Sequence, residues 1–208
     1  RATDTQDPDY LWGSGVMFSA LVAGARHDPA WLPVMHRFFN ALDGYWDAKA
    51  NPQGYEPAPT RGNGHDKYYD DNAWMVITFL EAHELTGEKR YLKRAEETLE
   101  FVLSGWDEAA GGGIWWHAEH KDDAKNTCVN APAAVGCFRL SKFTPKTAGE
   151  RVAMGRKLVD WTEQKLRAPN GLYADRLSVS TGQIHEGQLT YNAGLMLRAF
   201  LTLHACTG

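Results

Sequence analysis

Residues 70–105 read DDNAWMVITFLEAHELTGEKRYLKRAEETLEFVLSG, and the spacing of their apolar positions predicts two helices joined by a tight turn. Trp74, Ile77, Leu80 and Leu85 recur at the helical period, and after a break so do Tyr91, Ala95, Leu99 and Val102. The dipeptide Thr86-Gly87 ends the first helix as a glycine terminator should, and the second runs to Gly105. The stretch is therefore a helical hairpin.

The hairpin recurs along the chain at a period of about 60 residues. Trp31 maps to Tyr91, Phe39 to Leu99, and Trp46-Asp47 to Trp106-Asp107; the same offset carries Leu99 to Val159, Phe101 to Trp161 and Gly111 to Gly171. Seven helices are predicted: Leu11 to Gly24, Ala30 to Tyr45, Asp70 to Leu85, Lys89 to Leu103, Thr127 to Ser141, Gly149 to Leu166 and Leu189 to His204. Short turns join the partners of a hairpin. Long loops (Asp47 to Tyr69, Asp107 to Asn126, Arg167 to Gln188) return to the next hairpin and hold most of the out-of-register Gly, Pro and Trp. This order suits one domain, residues 1–208, built as an all-α toroid of hairpins with the long loops gathered on one face, where a site is expected. An up-down bundle or an open solenoid shares the same helical pattern.

Composition narrows the function. Hydrophobic residues make up 43% and charged residues 23% of the 208-residue chain, as in an ordinary globular protein. The net charge of −4 comes from intermixed signs with no basic block, which argues against a nucleic-acid partner. No apolar run reaches the roughly 20 residues of a membrane span, and Arg1 to Tyr10 has no apolar signal core. Cys128, Cys137 and Cys206 form no Cys-x-x-Cys pair and are read as buried free thiols. Eight Trp and eight Tyr exceed ordinary core use, and a sugar groove is a common place for the surplus.

Tyr68-Tyr69-Asp70-Asp71-Asn72-Ala73-Trp74 carries the most chemistry, at the predicted start of a helix. An Asp there can simply cap the first amides and meet the positive end of the dipole. Only one residue can occupy the capping position, however, and the second must hold its charge close by. Neighbouring carboxyl groups can lie about 5 Å apart, the spacing of retaining glycosidases, whereas inverting enzymes need about 6.5–9.5 Å to admit a water. Mutual repulsion would separate the two titrations, leaving one group ionised and the other protonated.

The strings YYDDNAW, LSGWDEAAGGGIWW, KNTCVNAPAA and TYNAG, in this order and spacing, resemble glycoside hydrolase family 76, the endo-α-1,6-mannanases, over nearly the whole chain from Leu11. The resemblance implies an (α/α)6 barrel and retaining hydrolysis of α-1,6-mannan without metal or organic cofactor. It places the nucleophile on Asp70 and the general acid/base on Asp71. Tyr69, Asn72, Trp115, Trp116, Asn126, Asn130, Asp175, Tyr191 and Asn192 become the expected substrate-binding residues. Helix capping by Asn126 or Thr127 and solvation of a loop by Asp175 are the plain alternatives. Ala193 stands where the family usually has Gln, which removes one amide donor at that subsite.

About seven helices fall short of a full ring, so the barrel is expected to be incomplete at its C-terminal side, with the apolar faces of Leu195, Leu197 and Phe200 uncovered. A completed barrel would be a monomer. His117 and His120 have a ligand-like spacing but no third partner, and Gly111 to Gly113 lacks the strand and Lys-Ser/Thr of a phosphate loop. Two other functions fit the sequence: a non-catalytic mannan-binding protein, and a different α/α-toroid sugar enzyme such as a uronide hydrolase or an epimerase. Secretion or a cell-envelope location follows from the resemblance alone.

Overall fold

The Thr86-Gly87 stop takes its expected form in the computed structural model, which describes residues 9–64, 66–119 and 123–208. Gly87 has a left-handed φ of 71° and returns its N–H to the His83 carbonyl at 2.7 Å. A residue with a Cβ would pay for that conformation.

The described residues form α1 (Leu11–His27), α2 (Leu32–Ala41), β1 (Trp46–Asp47), β2 (Gly54–Tyr55), α3 (Tyr69–Thr86), α4 (Lys89–Ser104), β3 (Ala124–Asn126), α5 (Thr127–Ser141), α6 (Ala148–Leu166), β4 (Arg176–Ser178), β5 (Ile184–His185) and α7 (Thr190–Thr207). The chain is mostly helical, with all seven expected helices present. Helix α3 packs against α1 and α5, and α5 against α7, while α2, α4 and α6 lie against α1, α3 and α5 respectively. The result is an arc of hairpins, a partial toroid with odd-numbered helices inside and even-numbered ones outside.

The two sets differ as their positions require. Outer α4 buries one stripe, Tyr91, Ala95, Thr98, Leu99 and Val102, and shows charge elsewhere. Inner α5 is buried almost all round, and its small residues Ala131, Ala133, Ala134 and Gly136 let neighbours come close. Phe18, Phe39, Phe79 and Tyr91 form an aromatic cluster joining the first two hairpins, with Phe39 and Tyr91 ring centres 4.6 Å apart.

Some expectations are corrected. The helix expected over Ala30 to Tyr45 is broken into a 3-10 turn Pro29–Trp31, α2, and a second 3-10 turn Leu42–Tyr45. Asp28 accepts the Ala30 N–H at 2.9 Å and Pro33 has no N–H to give, so the α-helix starts only there. The long returning segments are not plain loops. Strands β1 and β2 pair antiparallel with Trp46 opposite Tyr55, and β3, β4 and β5 form a three-stranded antiparallel sheet with Lys125 opposite Leu177 and Arg176 opposite His185. Leu195 is buried at 4% exposure, whereas Leu197 at 60% and Phe200 at 37% are open as expected. Among the three free cysteines only Cys137 is fully buried; Cys128 and Cys206 are half-buried.

The glycine run has a packing role. A Cβ on Gly113, where φ is 85°, would lie 2.6 Å from the Trp161 ring, so the backbone must approach that indole closely.

Candidate active site

Helix α3 begins at the expected place, but neither aspartate caps it. The capping position is held by Tyr68 in extended conformation, with no side-chain hydrogen bond to the first turn. Asp70 and Asp71 sit inside that turn, near the positive end of the helix dipole. Both are half-buried.

Asp70 Oδ2 accepts hydrogen bonds from Trp116 Nε1 at 3.1 Å and from Cys128 Sγ at 3.7 Å. Its Oδ1 is buried without a hydrogen-bond partner among the described residues. Burial pushes the Asp70 carboxyl above the usual carboxylate range, while Trp116, the amides of Asp71 and Asp70, and Cys128 pull the other way. Asp71 receives no such donors among the described residues. Burial first, and the Asp70 charge second, push it up to about 8. The pair therefore divides as repulsion demands, with Asp71 holding its proton near neutrality and Asp70 the better-stabilised anion.

The two carboxylates open on a cavity of about 380 Å³ walled by Tyr10, Pro57, Tyr68 and Trp116. Trp116 also borders a second, polar cavity of about 270 Å³ with Asp123, Ala124, Arg176, Ser178 and His185. Tyr191, at the start of α7, feels the charges of Asp70 and Asp71; burial, then Cys128 and the two carboxylates, hold its hydroxyl protonated. Its ring centre lies 5.6 Å from that of Trp12 and 6.2 Å from that of Trp74. Helices α1, α3 and α7 thus each contribute a ring to one aromatic cluster, which meets the acidic pair through Tyr191.

Of the expected binding residues, Trp116 and Tyr191 gather at the carboxylates. Others support the site from below. Trp115 is buried, donates from Nε1 to Asp107 Oδ2 at 2.7 Å and lies under the Lys125 ammonium at 5.0 Å. Successive residues of an extended segment point to opposite faces, so Trp116 facing the pocket turns Trp115 away. Tyr69 likewise stacks on Phe101, ring centres 4.9 Å apart, and Tyr68 takes the pocket wall in its place.

The Asn residues are mostly committed to backbone. Asn72 is fully buried, accepts from Tyr55 N at 2.7 Å and donates to Tyr55 O and Tyr68 O, tying α3 to β2. Asn130 accepts from Ile114 N at 2.9 Å and donates to Asn126 O at 2.8 Å. Asn126 stands at the capping position of α5 without capping it, and its Oδ1 is buried with no partner among the described residues. Thr127 Oγ1 donates to Ala174 O at 2.7 Å. Asn192 is fully buried and its carboxamide has no described partner. Asp175 lies 3.5 Å from Arg176 and close enough to Cys128 to raise its thiol.

His117 Nε2 is 2.5 Å from Asp66 Oδ2, and its ring meets Tyr68 edge-on at 4.5 Å. Its expected companion His120 lies outside the described residues, among which no group of three His, Cys, Asp or Glu is placed to hold a metal. Sequence reasoning missed Tyr10, Trp12, Pro57, Tyr68 and Cys128. Tyr68 belonged to the YYDDNAW string, and the extended residue before a helix carried the signal of opposite facing. Nothing local marked the others.

Paired carboxylates in an aromatic-walled cleft are the apparatus of glycoside hydrolysis. The sequence profile of Glycosyl hydrolase family 76 matches residues 2–208, and the chain belongs to that family. A solved GH76 α-mannanase of Bacteroides thetaiotaomicron is 27% identical and superposes with a TM-score of 0.92, covering 98% of this chain and 58% of its own. The α-1,6-mannanase of Salegentibacter sp. is 25% identical with a TM-score of 0.80, covering 95% of this chain and 55% of its own. An inactive variant of that enzyme, with two consecutive aspartates replaced by alanine, is in complex with α-1,6-mannotetrose; it matches at 25% identity and a TM-score of 0.81, covering 98% of this chain and 56% of its own. The chain spans little more than half the length of these (α/α)6 relatives. Comparison with curated proteins gives no match.

Proposed function

We propose that this chain carries the catalytic centre of a retaining endo-α-1,6-mannanase, with Asp70 as nucleophile and Asp71 as general acid/base. The observation that carries the reading is the unequal pair: Asp71, pushed up to about 8, keeps a proton to donate, while Asp70 collects the donors that favour a carboxylate. Asp70 attacks the anomeric carbon as Asp71 protonates the departing glycosidic oxygen. Asp71, now ionised, takes a proton from water, which releases the mannose from Asp70. The Salegentibacter relative, inactive without two consecutive aspartates and bound to an α-1,6-linked oligosaccharide, supports both the residues and the substrate class.

Trp116 and Tyr191 offer aromatic surface to the apolar faces of mannose units. An α-mannan polymer or oligosaccharide is the proposed partner, and a polymeric substrate goes with a secreted or cell-envelope location. The test is incubation of the purified protein with linear α-1,6-mannan, following oligosaccharide release and its first anomer. Early α-anomers, absent with Asp70→Asn, are expected. Wild-type turnover by Asp70→Asn or Asp71→Asn would remove the reading, and binding without release would leave a mannan-binding protein.

A further inference from the structure

We propose that Cys128 and Trp116 are positioning residues that anchor one oxygen of Asp70 and so hold its carboxylate in one orientation towards the anomeric carbon. The inference rests on Asp70 being the nucleophile. Its ground is the asymmetry of one carboxylate: Oδ2 takes both side-chain donors, Trp116 Nε1 at 3.1 Å and Cys128 Sγ at 3.7 Å, and Oδ1 is buried with none among the described residues. A carboxylate held through one oxygen by two donors from different elements cannot rotate freely about its terminal torsion.

The two anchors come from separate elements, each fixed in turn. Trp116 is held by its N–H to Ala124 O at 3.0 Å and accepts the Tyr69 N–H at 3.0 Å. Cys128 stands in the first turn of α5, which is pinned by Thr127 N to Asp175 O at 3.0 Å and by Thr127 Oγ1 to Ala174 O at 2.7 Å. Burial, with the charges of Asp70 and Asp175, holds the thiol well above its usual range, so Cys128 is an S–H donor and not a rival nucleophile. The sequence reading took it only for a buried free thiol.

In the step this orientation serves, a lone pair of the Asp70 carboxylate forms the bond to the anomeric carbon while the glycosidic C–O bond breaks. The electron pair of that bond goes to the leaving oxygen, which takes the Asp71 proton. In the second step water gives a proton to Asp71 and its oxygen bonds to the anomeric carbon. The ester bond breaks with its pair returning to Asp70, and both residues are restored.

Among the described residues the ionisable groups around Asp70 are Tyr10 before α1, Tyr68 and Asp71 at the start of α3, Cys128 on α5 and Tyr191 on α7, with Asp175 before β4 acting on Cys128. Cys128→Ala, Cys128→Ser and Trp116→Phe are compared with wild type on linear α-1,6-mannan. Loss of the thiol donor should lower kcat roughly three- to tenfold with little change in KM and move the acid limb of kcat/KM to higher pH; Ser should restore both. Carbon-13 NMR titration of the Asp70 carboxyl, which needs no substrate, should show its pKa rising in Cys128→Ala. A Cys128→Ala enzyme with unchanged titration and an unchanged pH profile overturns the anchoring. Full turnover by Asp70→Asn overturns the nucleophile itself, so the two failures are distinct.

Discussion

Asn130 holds Ile114 by both ends of its backbone: Oδ1 accepts the Ile114 N–H at 2.9 Å, and Nδ2 faces the Ile114 carbonyl at 3.4 Å while donating to Asn126 O at 2.8 Å. One fully buried carboxamide thus fixes the segment that carries Trp116 two residues on.

Asn130→Ala should therefore cost about 2–4 kcal/mol, because it leaves buried backbone groups unpaired, and lower the melting midpoint by roughly 5–12 °C. Calorimetry checks this. Mannan hydrolysis measured well below the new midpoint should also fall, since Trp116 loses its support.

Asp71→Asn should stabilise the protein while abolishing hydrolysis. In the unfolded chain an Asp titrates near 3.9, whereas folding pushes Asp71 up to about 8. Between those values the folded state binds more protons, so stability falls as pH rises through the window. Asn removes that loss. The variant should match wild type near pH 4 and exceed it by about 1–3 kcal/mol at pH 7–8. Urea unfolding at the two pH values measures the gap; an equal difference at both would exclude a raised Asp71.

Lys125→Met should be among the costliest changes in the chain. The ammonium is fully buried and donates to Asp107 Oδ1 at 2.7 Å, Ala109 O at 2.8 Å and Gly112 O at 2.7 Å. Removing it strands the two carbonyls, for about 3–5 kcal/mol. Asp107→Asn should cost less, because the amide oxygen can still accept from the ammonium, but not little, because the fully buried charge loses its counter-ion. Chemical denaturation of the two variants gives the ranking.

Gly155→Ala tests the α5–α6 packing. A Cβ there would lie 2.5 Å from Phe138 Cε1, so the ring must move. The strain, about 1–3 kcal/mol, should outweigh the helix propensity gained, about 1 kcal/mol. Combining it with Phe138→Leu should recover part of the loss, read as a double-mutant cycle.

The hairpins were legible because apolar spacing and a glycine stop are local signals, and Gly87 adopts the backbone that its position in the sequence called for. The break at Pro33 was written in the chain too, but α2 continues the apolar spacing across it. The strands were not legible: each has two or three residues, and β3 and β4 exist only because Ala124 meets Ser178 from a distant part of the chain. At the site, type was easier to read than direction. Asp70 and Asp71 stood out as a pair, whereas choosing Trp116 over Trp115, or Tyr68 over Tyr69, needed the pleat of segments whose partners lie elsewhere. Cys128 became visible only when α5 was placed beside α3.

The arc of hairpins also has a history in time. Each inner helix packs against the one made before it, α3 on α1, α5 on α3 and α7 on α5, so a chain emerging from its N-terminus can settle unit by unit. Trp12, near the first turn of α1, meets Tyr191 of α7 only when the last of these helices arrives. Until then Tyr191 adds nothing to the surroundings of the acidic pair, so part of the cost of confining two neighbouring carboxylates is deferred until α7 docks onto hairpins already in place.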